Sequence, residues 1–504
     1  MSRADRLRHL VVKEFRALMY PWLASGAAVA LPAVIDGSGR LAGVSTVAYL
    51  LGAATLGAMS MGHEYTDRTV GSMLSLPVRR ERLLAVKLVV LAFMLVTLAA
   101  AADAVMLGRG PIRDHLMFVV LPVLYGLFMA PALTMATRSP IAGAVFTPVI
   151  PAALMLLVAR LLWPAALEND PDAQAFRLAV LWRGSIAACA VAAVASWWLF
   201  RRLEAIDGLG EDLRLPGWLW RRSESGANAA GLSARRPIWL LVAKELRLQQ
   251  MTLLVAALFA VGWVASGPLR ARFSGIDLTV VGMFYVALLP CLSGAFASAE
   301  ERGMGTLEWQ LLLPVAASTQ WAIKVATVVG LTLLLALGLP AALAVLDPVA
   351  RWAFFVNPAM ALAVVFLAAA GLYVSSLCRS GLWALVMVVP SAVAALWFAN
   401  AVLNRVHLAT WRTTVRLAAA VGEKGLRHVH AITDAIGSAV FLLIAAGFVT
   451  LLLRFALSNH RYTAWSPKRV VGQVAILAGI AVAGAVILGI ILALQTGGFW
   501  AHCV

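Results

Sequence analysis

Residues 61–80 read MGHEYTDRTVGSMLSLPVRR and hold a run of groups able to do chemistry. His63-Glu64 opens as the zinc-peptidase helix H-E-x-x-H does, in which two imidazoles one turn apart bind the metal and the glutamate acts as base. Residue 67 is Asp, so the second imidazole is missing. Asp103 falls inside an apolar run, where an acid is by default a functional candidate. Its place near the end of that run favours snorkelling to the outer interface over contact with a substrate. His407, His428 and His430 follow no metal-ligand spacing. Cys189, Cys291, Cys378 and Cys503 are scattered and form no C-x-x-C. A P-loop needs Gly immediately before Lys. The six lysines (Lys13, Lys87, Lys244, Lys324, Lys424, Lys468) never follow glycine. The segments between apolar runs gather no set of acids, histidines or metal ligands such as a membrane-bound transferase needs. The expectation is a chain without catalytic, cofactor or metal residues of its own.

The elements that carry these groups are read from composition. Of 504 residues, 62% are hydrophobic and 13% are charged, against about 25% charged in soluble domains. Apolar stretches recur near 18–36, 41–62, 86–108, 115–137, 141–163 and 180–200, then near 250–269, 277–298, 324–346, 353–376, 381–403, 435–456 and 471–495. Each is long enough for a hydrocarbon core of about 30 Å. Continuous runs rather than alternating ones predict helices, not a β-barrel. The net charge of +17 sits mostly in short loops, which is how insertion sets orientation and argues against nucleic acid. With the N-terminus inside, about 27 Lys and Arg fall on the cytoplasmic side and about 14 outside. The opening MSRADRLRHLVVKEFRAL is too charged for a signal h-region, so no cleaved signal is expected. The odd number of spans places the C-terminus outside. Residues 404–434 also fall outside and interleave apolar residues with Arg, as an interfacial helix does.

The chain echoes itself. LVVKEFR (10–16) returns as LVAKELR (241–247), and MGHEYTDRTVGSMLSLPVRRERLLAVK returns as SAEERGMGTLEWQLLLPVAASTQWAIK. Glu64 falls on Glu301, Thr69 on Thr306, Val70 on Leu307, Leu74 on Leu311 and Lys87 on Lys324; Leu76-Pro77 falls on Leu313-Pro314. ATRSP (136–140) matches LCRSG (377–381), with Arg138 over Arg379. Each echo keeps its place within a unit of six spans, which predicts two parallel six-helix repeats and one extra C-terminal helix. The expected divisions are residues 1–200, a cytoplasmic linker at 201–236, residues 237–460 and residues 461–504. His63 has no counterpart, and Asp67-Arg68 becomes Met304-Gly305. That removes both the zinc site and the charged loop of major-facilitator transporters. What recurs predicts a short helix past span 2, apolar on one face through i,i+4 pairs and ended by proline. Glu64 is expected to hold its start by pairing with a basic group or capping backbone N–H groups. Lys87 and Lys324 are expected to mark the cytosolic interface.

The ordered set Glu…Thr…L-x-L-P-V…Lys, with an amphipathic LVVKEFR before span 1 and an Arg-Ser turn between spans 4 and 5, resembles the membrane subunits of bacterial ABC-2 type exporters. The likeness covers roughly residues 1–460. It implies that the segment after span 2 is the helix that couples to a separate ATPase. Glu64, Thr69, Val70, Leu74, Leu76 and Pro77 inherit that role, as do Glu301, Gly305, Thr306, Leu307, Leu311, Leu313 and Pro314. Arg138 and Arg379 match the family's short cytoplasmic basic turn. Family members usually pair as dimers of six spans, so one chain with both halves implies a complete pathway with two ATP-binding subunits, ATP and Mg on those partners. The expected place is the bacterial cytoplasmic (inner) membrane, crossed many times. The expected cargo is amphipathic or lipid-like: a drug, an antibiotic or a lipid. Arg68-Thr69 departs from the family's Gly-Thr, so the two halves are expected to couple unequally. An ion-coupled secondary transporter is the alternative, although acids at mid-membrane are scarce.

Overall fold

The computed structural model describes residues 3–35, 42–66, 69–75, 78–106, 119–161, 171–203, 236–270, 279–303, 305–312, 315–345, 358–378 and parts of 380–480. Among these residues every regular element is helical. The first half contains α1 (Arg3–Ile35), α2 (Ala42–Thr66), the short α3 (Val70–Leu74), α4 (Arg80–Met106), α5 (Val119–Thr137), α6 (Pro140–Leu161) and α7 (Pro171–Arg201). The second contains α8 (Arg236–Leu248), α9 (Gln250–Arg270), α10 (Thr279–Gly303), the short α11 (Thr306–Leu311), α12 (Ala317–Leu333, continued by Leu334–Gly338 and Leu339–Val345) and α13 (Pro358–Leu377). Residues 381–388, 445–460 and 468–477 are also helical.

Five of the described helices are long and apolar enough to cross a membrane: Arg80–Val105, Val119–Thr137, Ala179–Arg201, Ala317–Leu343 and Met360–Leu377. A sixth candidate is the pair Ile238–Leu248 and Gln250–Val264, bent by 59°. The protein is therefore a helical membrane protein. In the second half LVAKELR lies in a separate helix, α8, which meets α9 at that bend. The buried Gln249 stabilises the corner: its Nε2 donates to the Ser293 carbonyl at 2.8 Å, and its Oε1 accepts from Thr252 at 2.8 Å. In the first half the corresponding segment differs from expectation, since α1 runs unbroken through LVVKEFR and on to Ile35.

The middle of the fold is built from small residues. α2 and α10 have 25 residues each, and their stretches Leu51–Gly62 and Leu288–Ala299 are almost wholly buried. α2 crosses α5 at Gly57 and Gly126; α10 crosses α13 at Gly294 and Gly371. A Cβ on Gly57 would lie 2.0 Å from the Gly126 carbonyl oxygen, and one on Gly294 would lie 2.7 Å from the Gly371 Cα. Membrane helices gain little hydrophobic drive from packing on each other, so backbone approach through small residues supplies the dispersion contact instead. In α5 a π-turn, Tyr125–Met129, contains Gly126. One apolar core runs through both halves, from Leu18, Leu91 and Leu95 to Leu289, Phe296 and Leu385. At its margin the exposed Tyr20 meets Trp383 edge-on at 6.5 Å.

The linker residues 204–235, the segment 404–434 with His407, His428 and His430, and most of 471–495 lie outside the described residues. Asp103 is half-buried in the last turn of α4.

Candidate functional site: two buried ion clusters clamping two short helices

The short helices are local products of their sequence. α3 starts after Thr69, whose N–H donates to the Glu64 carbonyl at 2.9 Å and whose carbonyl accepts from Met73. α11 starts at Gly305, which sits at φ +70. That left-handed conformation costs an L-residue about 1–2 kcal/mol. Gly305→Ala is therefore expected to lower stability by about 1 kcal/mol, read as a midpoint shift in thermal unfolding of the detergent-solubilised chain. No heavy atom lies within 4 Å of the added Cβ, so the cost would be conformational alone. An unchanged midpoint would show that α11 starts equally well without the left-handed residue.

Each short helix is tied to the bundle by a cluster of charged groups. In the first, Lys87 Nζ donates to Glu14 at 2.7 Å and to Glu64 at 3.3 Å, while Lys13 donates to Glu64 at 2.8 Å. Thr69 donates its hydroxyl to the other Glu64 oxygen. Four elements meet there: α1, the end of α2, the approach to α3 and the first turns of α4. In the second, Lys324 Nζ lies 3.0 Å from Glu245 and 2.9 Å from Glu301. Lys244 bonds Glu301 and, at 2.6 Å, the side-chain oxygen of Gln310 in α11. Gln320 holds the far side of α11, its Nε2 donating to the carbonyls of Gln310 and Val315 at 3.1 and 2.8 Å. Lys13, Glu14, Glu64 and Lys87 thus recur as Lys244, Glu245, Glu301 and Lys324.

Glu64 and Glu301 lie just past the apolar stretches 41–62 and 277–298. Burial would raise both carboxyls. For Glu64 the His63 ring, the Lys87 charge and hydrogen bonds from Lys13 and Thr69 outweigh burial and hold it well below the usual range. For Glu301 the charges of Lys324 and Lys244 do the same. Both are ionised, and each cluster sets two carboxyl groups against two ammonium groups. Such a set adds little net stability, because desolvation offsets attraction, but removing one member strands a buried charge. Its effect is to fix where the helix ends sit.

This placement corrects one expectation. Lys87 and Lys324 do not snorkel: both ammonium groups are buried between two carboxylates. Glu14 and Glu245, half of the carboxylates, were not read as site residues. Their signal is present, since K-E recurs at the same place in both heptapeptides, and an interfacial helix has no need of an acid there.

The expected apolar docking face is only partly turned outward. Val70 and Leu74 are half-buried, with Met73 buried beneath them against Met61, Leu84, Met135 and Phe200. Leu307 points inward at 4% exposure, and Leu311 is half-buried. The outward apolar groups of the second segment are Trp309, 75% exposed, and Leu312, 77% exposed. The physical reason is that Lys244 pulls Gln310 into the bundle, which rotates Leu307 inward with it, one turn away. Position 73 is Met where position 310 is Gln, so one short helix is held by apolar packing and the other by hydrogen bonds. Leu76, Pro77, Leu313, Pro314 and Arg379 lie outside the described residues. Arg138 ends α5 at φ 52, and Ser139 then accepts the Ala142 N–H at 3.3 Å, capping α6. Ser380 accepts the Trp383 N–H in the same way at 3.4 Å.

Glu14, His63 and Glu64 offer ligand atoms within 4.8 Å of one another, a spacing a metal ion could use. His63 Nδ1–H donates to the Met59 carbonyl at 2.8 Å, and its Nε2 lies 3.2 Å from Glu64 and 3.8 Å from Glu14. Lys87 and Lys13 already neutralise the two carboxylates, so a dication there would face two ammonium groups at short range. The donor set does not fit a metal centre.

The chain matches no family model, no curated protein and no solved structure.

Proposed function

We propose that the chain is the membrane-spanning permease of an ATP-driven exporter of the ABC-2 type. Two parallel six-span repeats, one extra C-terminal helix and two copies of a separate ATP-binding subunit complete the machine. ATP and Mg act on those subunits. The cargo is amphipathic or lipid-like, and the membrane is the bacterial cytoplasmic one. The observation that carries the reading is the recurrence of one four-residue ion cluster beside each short helix. A clamp of this kind makes a short helix move as one body with the ends of the spans it joins. A push on α3 or α11 then reaches those spans instead of being lost in a loop. The half-buried Leu74 and the exposed Trp309 and Leu312 supply apolar contact for the pushing partner, as buried anchors at interfaces do.

The alternative, an ion-coupled secondary transporter, draws support from the buried carboxylates Glu14, Glu64, Glu245 and Glu301. Each has an ammonium group within 3.0 Å, however, and is neutralised without an ion.

The test is co-expression with the ATP-binding cassette protein encoded nearest the gene. One permease chain should purify with two copies of that protein, by native mass. Trp309→Asp with Leu312→Asp should weaken capture about 30-fold, the equivalent of about 2 kcal/mol, and Leu74→Asp should do so in the first half. Arg79→Ala, an exposed charge, should change little. Two permease chains per complex, or Asp variants that keep both the partner and full stimulated ATP turnover, would overturn the reading.

A further inference from the structure

The outer faces of α4 and α7 are apolar. α4 exposes Val89, Phe93 and Val96, and α7 exposes Val191, Val194, Trp197 and Trp198. Spacings of three and four place each set on one stripe. In a membrane-spanning helix such a stripe faces lipid. Between the two stripes opens a groove of about 430 Å³, within the range of small-molecule sites. Its apolar walls come from Leu84 and Leu88 of α4, Phe128 of α5, and Ala193 and Trp197 of α7. It lies at the end of the bundle where Arg80 donates to the Arg201 and Leu203 carbonyls, at 2.5 and 3.1 Å, tying α4 to the end of α7.

That end carries charges of both signs. The exposed Arg201 guanidinium lies 4.7 Å from the centroid of the Trp197 ring, the ring that lines the groove. Arg202 stacks in the same way on Trp198 at 4.1 Å. Stacking holds a guanidinium flat on an indole while its N–H edge stays free for an oxyanion. Glu81 also lines the groove and is exposed. Among the described residues it joins no ion pair. The helix dipole accounts for an acid in the first turn of α4. It does not account for a carboxylate lining an apolar groove whose Trp197 wall carries an arginine.

We propose that this groove binds a phospholipid whose headgroup carries a primary amine, phosphatidylethanolamine being the simplest. One acyl chain lies against Leu84, Leu88 and Phe128, the phosphate against Arg201 and the ammonium against Glu81. The match is one of charge order: a zwitterion satisfies both groups. A purely anionic headgroup leaves Glu81 facing like charge, and a choline headgroup has no N–H to donate.

The full chain, delipidated in detergent, can be titrated with phosphatidylethanolamine, phosphatidylglycerol or phosphatidylcholine and followed by native mass spectrometry. One phosphatidylethanolamine should bind, with about tenfold preference over phosphatidylcholine, about 1.4 kcal/mol. Glu81→Gln should erase that preference. Arg201→Gln should weaken phosphatidylethanolamine and phosphatidylglycerol alike. Ala193→Trp, which fills the groove, should remove the site. Arg16→Gln, an exposed arginine at the same end on α1, should change nothing. Glycerophosphoethanolamine, the headgroup without chains, should not compete. Equal uptake of the three lipids by the unaltered chain would overturn the proposal. So would an ethanolamine preference that survives Glu81→Gln, or a stronger preference for phosphatidylglycerol, which would mark a general anionic-lipid surface.

Discussion

Lys324→Met is expected to destabilise the chain by about 3–5 kcal/mol, the cost of breaking a buried ion network on one side. The Lys324 ammonium is fully buried and lies between Glu245 and Glu301. Methionine fills nearly the same volume, so packing loss is small and the cost comes from two carboxylates left facing each other in a desolvated site. Lys244 bonds Glu301 and lies 3.5 Å from Glu245, but it is partly exposed and shared with Gln310 on the outer side of the cluster, so it offsets only part of the loss. A second change separates the causes. Glu245→Gln added to Lys324→Met removes one stranded charge and should recover a large part of the loss. Lys87→Met should cost a similar amount, since the Lys87 ammonium is buried between Glu14 and Glu64 in the same way. The measurement is the unfolding midpoint in detergent, thermal or by SDS titration. A Lys324→Met chain as stable as the unaltered one, or no recovery in the double variant, would show that the cluster does not hold the helix ends.

Gly57→Ala should be nearly as damaging, and worse than Gly294→Ala. At Gly57 the new Cβ would lie 2.0 Å from the Gly126 carbonyl oxygen. At Gly294 it would lie 2.7 Å from the Gly371 Cα and 2.8 Å from the Ala368 oxygen. All of these obstacles are backbone atoms, so no rotamer change relieves the clash and the two helices must separate. Overpacking of this kind costs about 1–3 kcal/mol and occasionally more. The damage would spread, because α2 and α10 stand in the middle of the core and carry Glu64 and Glu301 at their ends. Gly262→Ala and Gly330→Ala are the controls: neither Cβ meets anything within 4 Å. There the better helix propensity of alanine should leave stability level or raise it by up to about 1 kcal/mol. If all four substitutions behave alike, the glycine crossings are not what brings these helices together.

How much of this was legible beforehand depends on the range of the interaction. Apolar length announced the membrane helices, because hydropathy is a property of single residues summed over one segment. The short helices were legible too, since their apolar spacing and the following proline are local features. The left-handed φ of 70 at Gly305 was not, since that glycine was named only through the family likeness. The echo of LVVKEFR in LVAKELR pointed to the right segments but not to their use.

Tertiary structure alone decided which groups meet. Lys87 reaches Glu14 across 73 positions and Lys324 reaches Glu245 across 79. No periodicity reports a pairing over that distance, and taken singly each lysine looked like an interfacial anchor. The direction of the short helices was decided in the same way. Val70 and Leu307 hold the same place in the sequence pattern, yet one is half-buried and the other buried. The difference lies in Gln310, drawn inward by Lys244, where the first half packs Met73 against Met135 and Phe200. A sequence states which faces a helix has. Which of them turns inward is set by the partners waiting there, because burying a polar group is tolerated only where its hydrogen bonds are met.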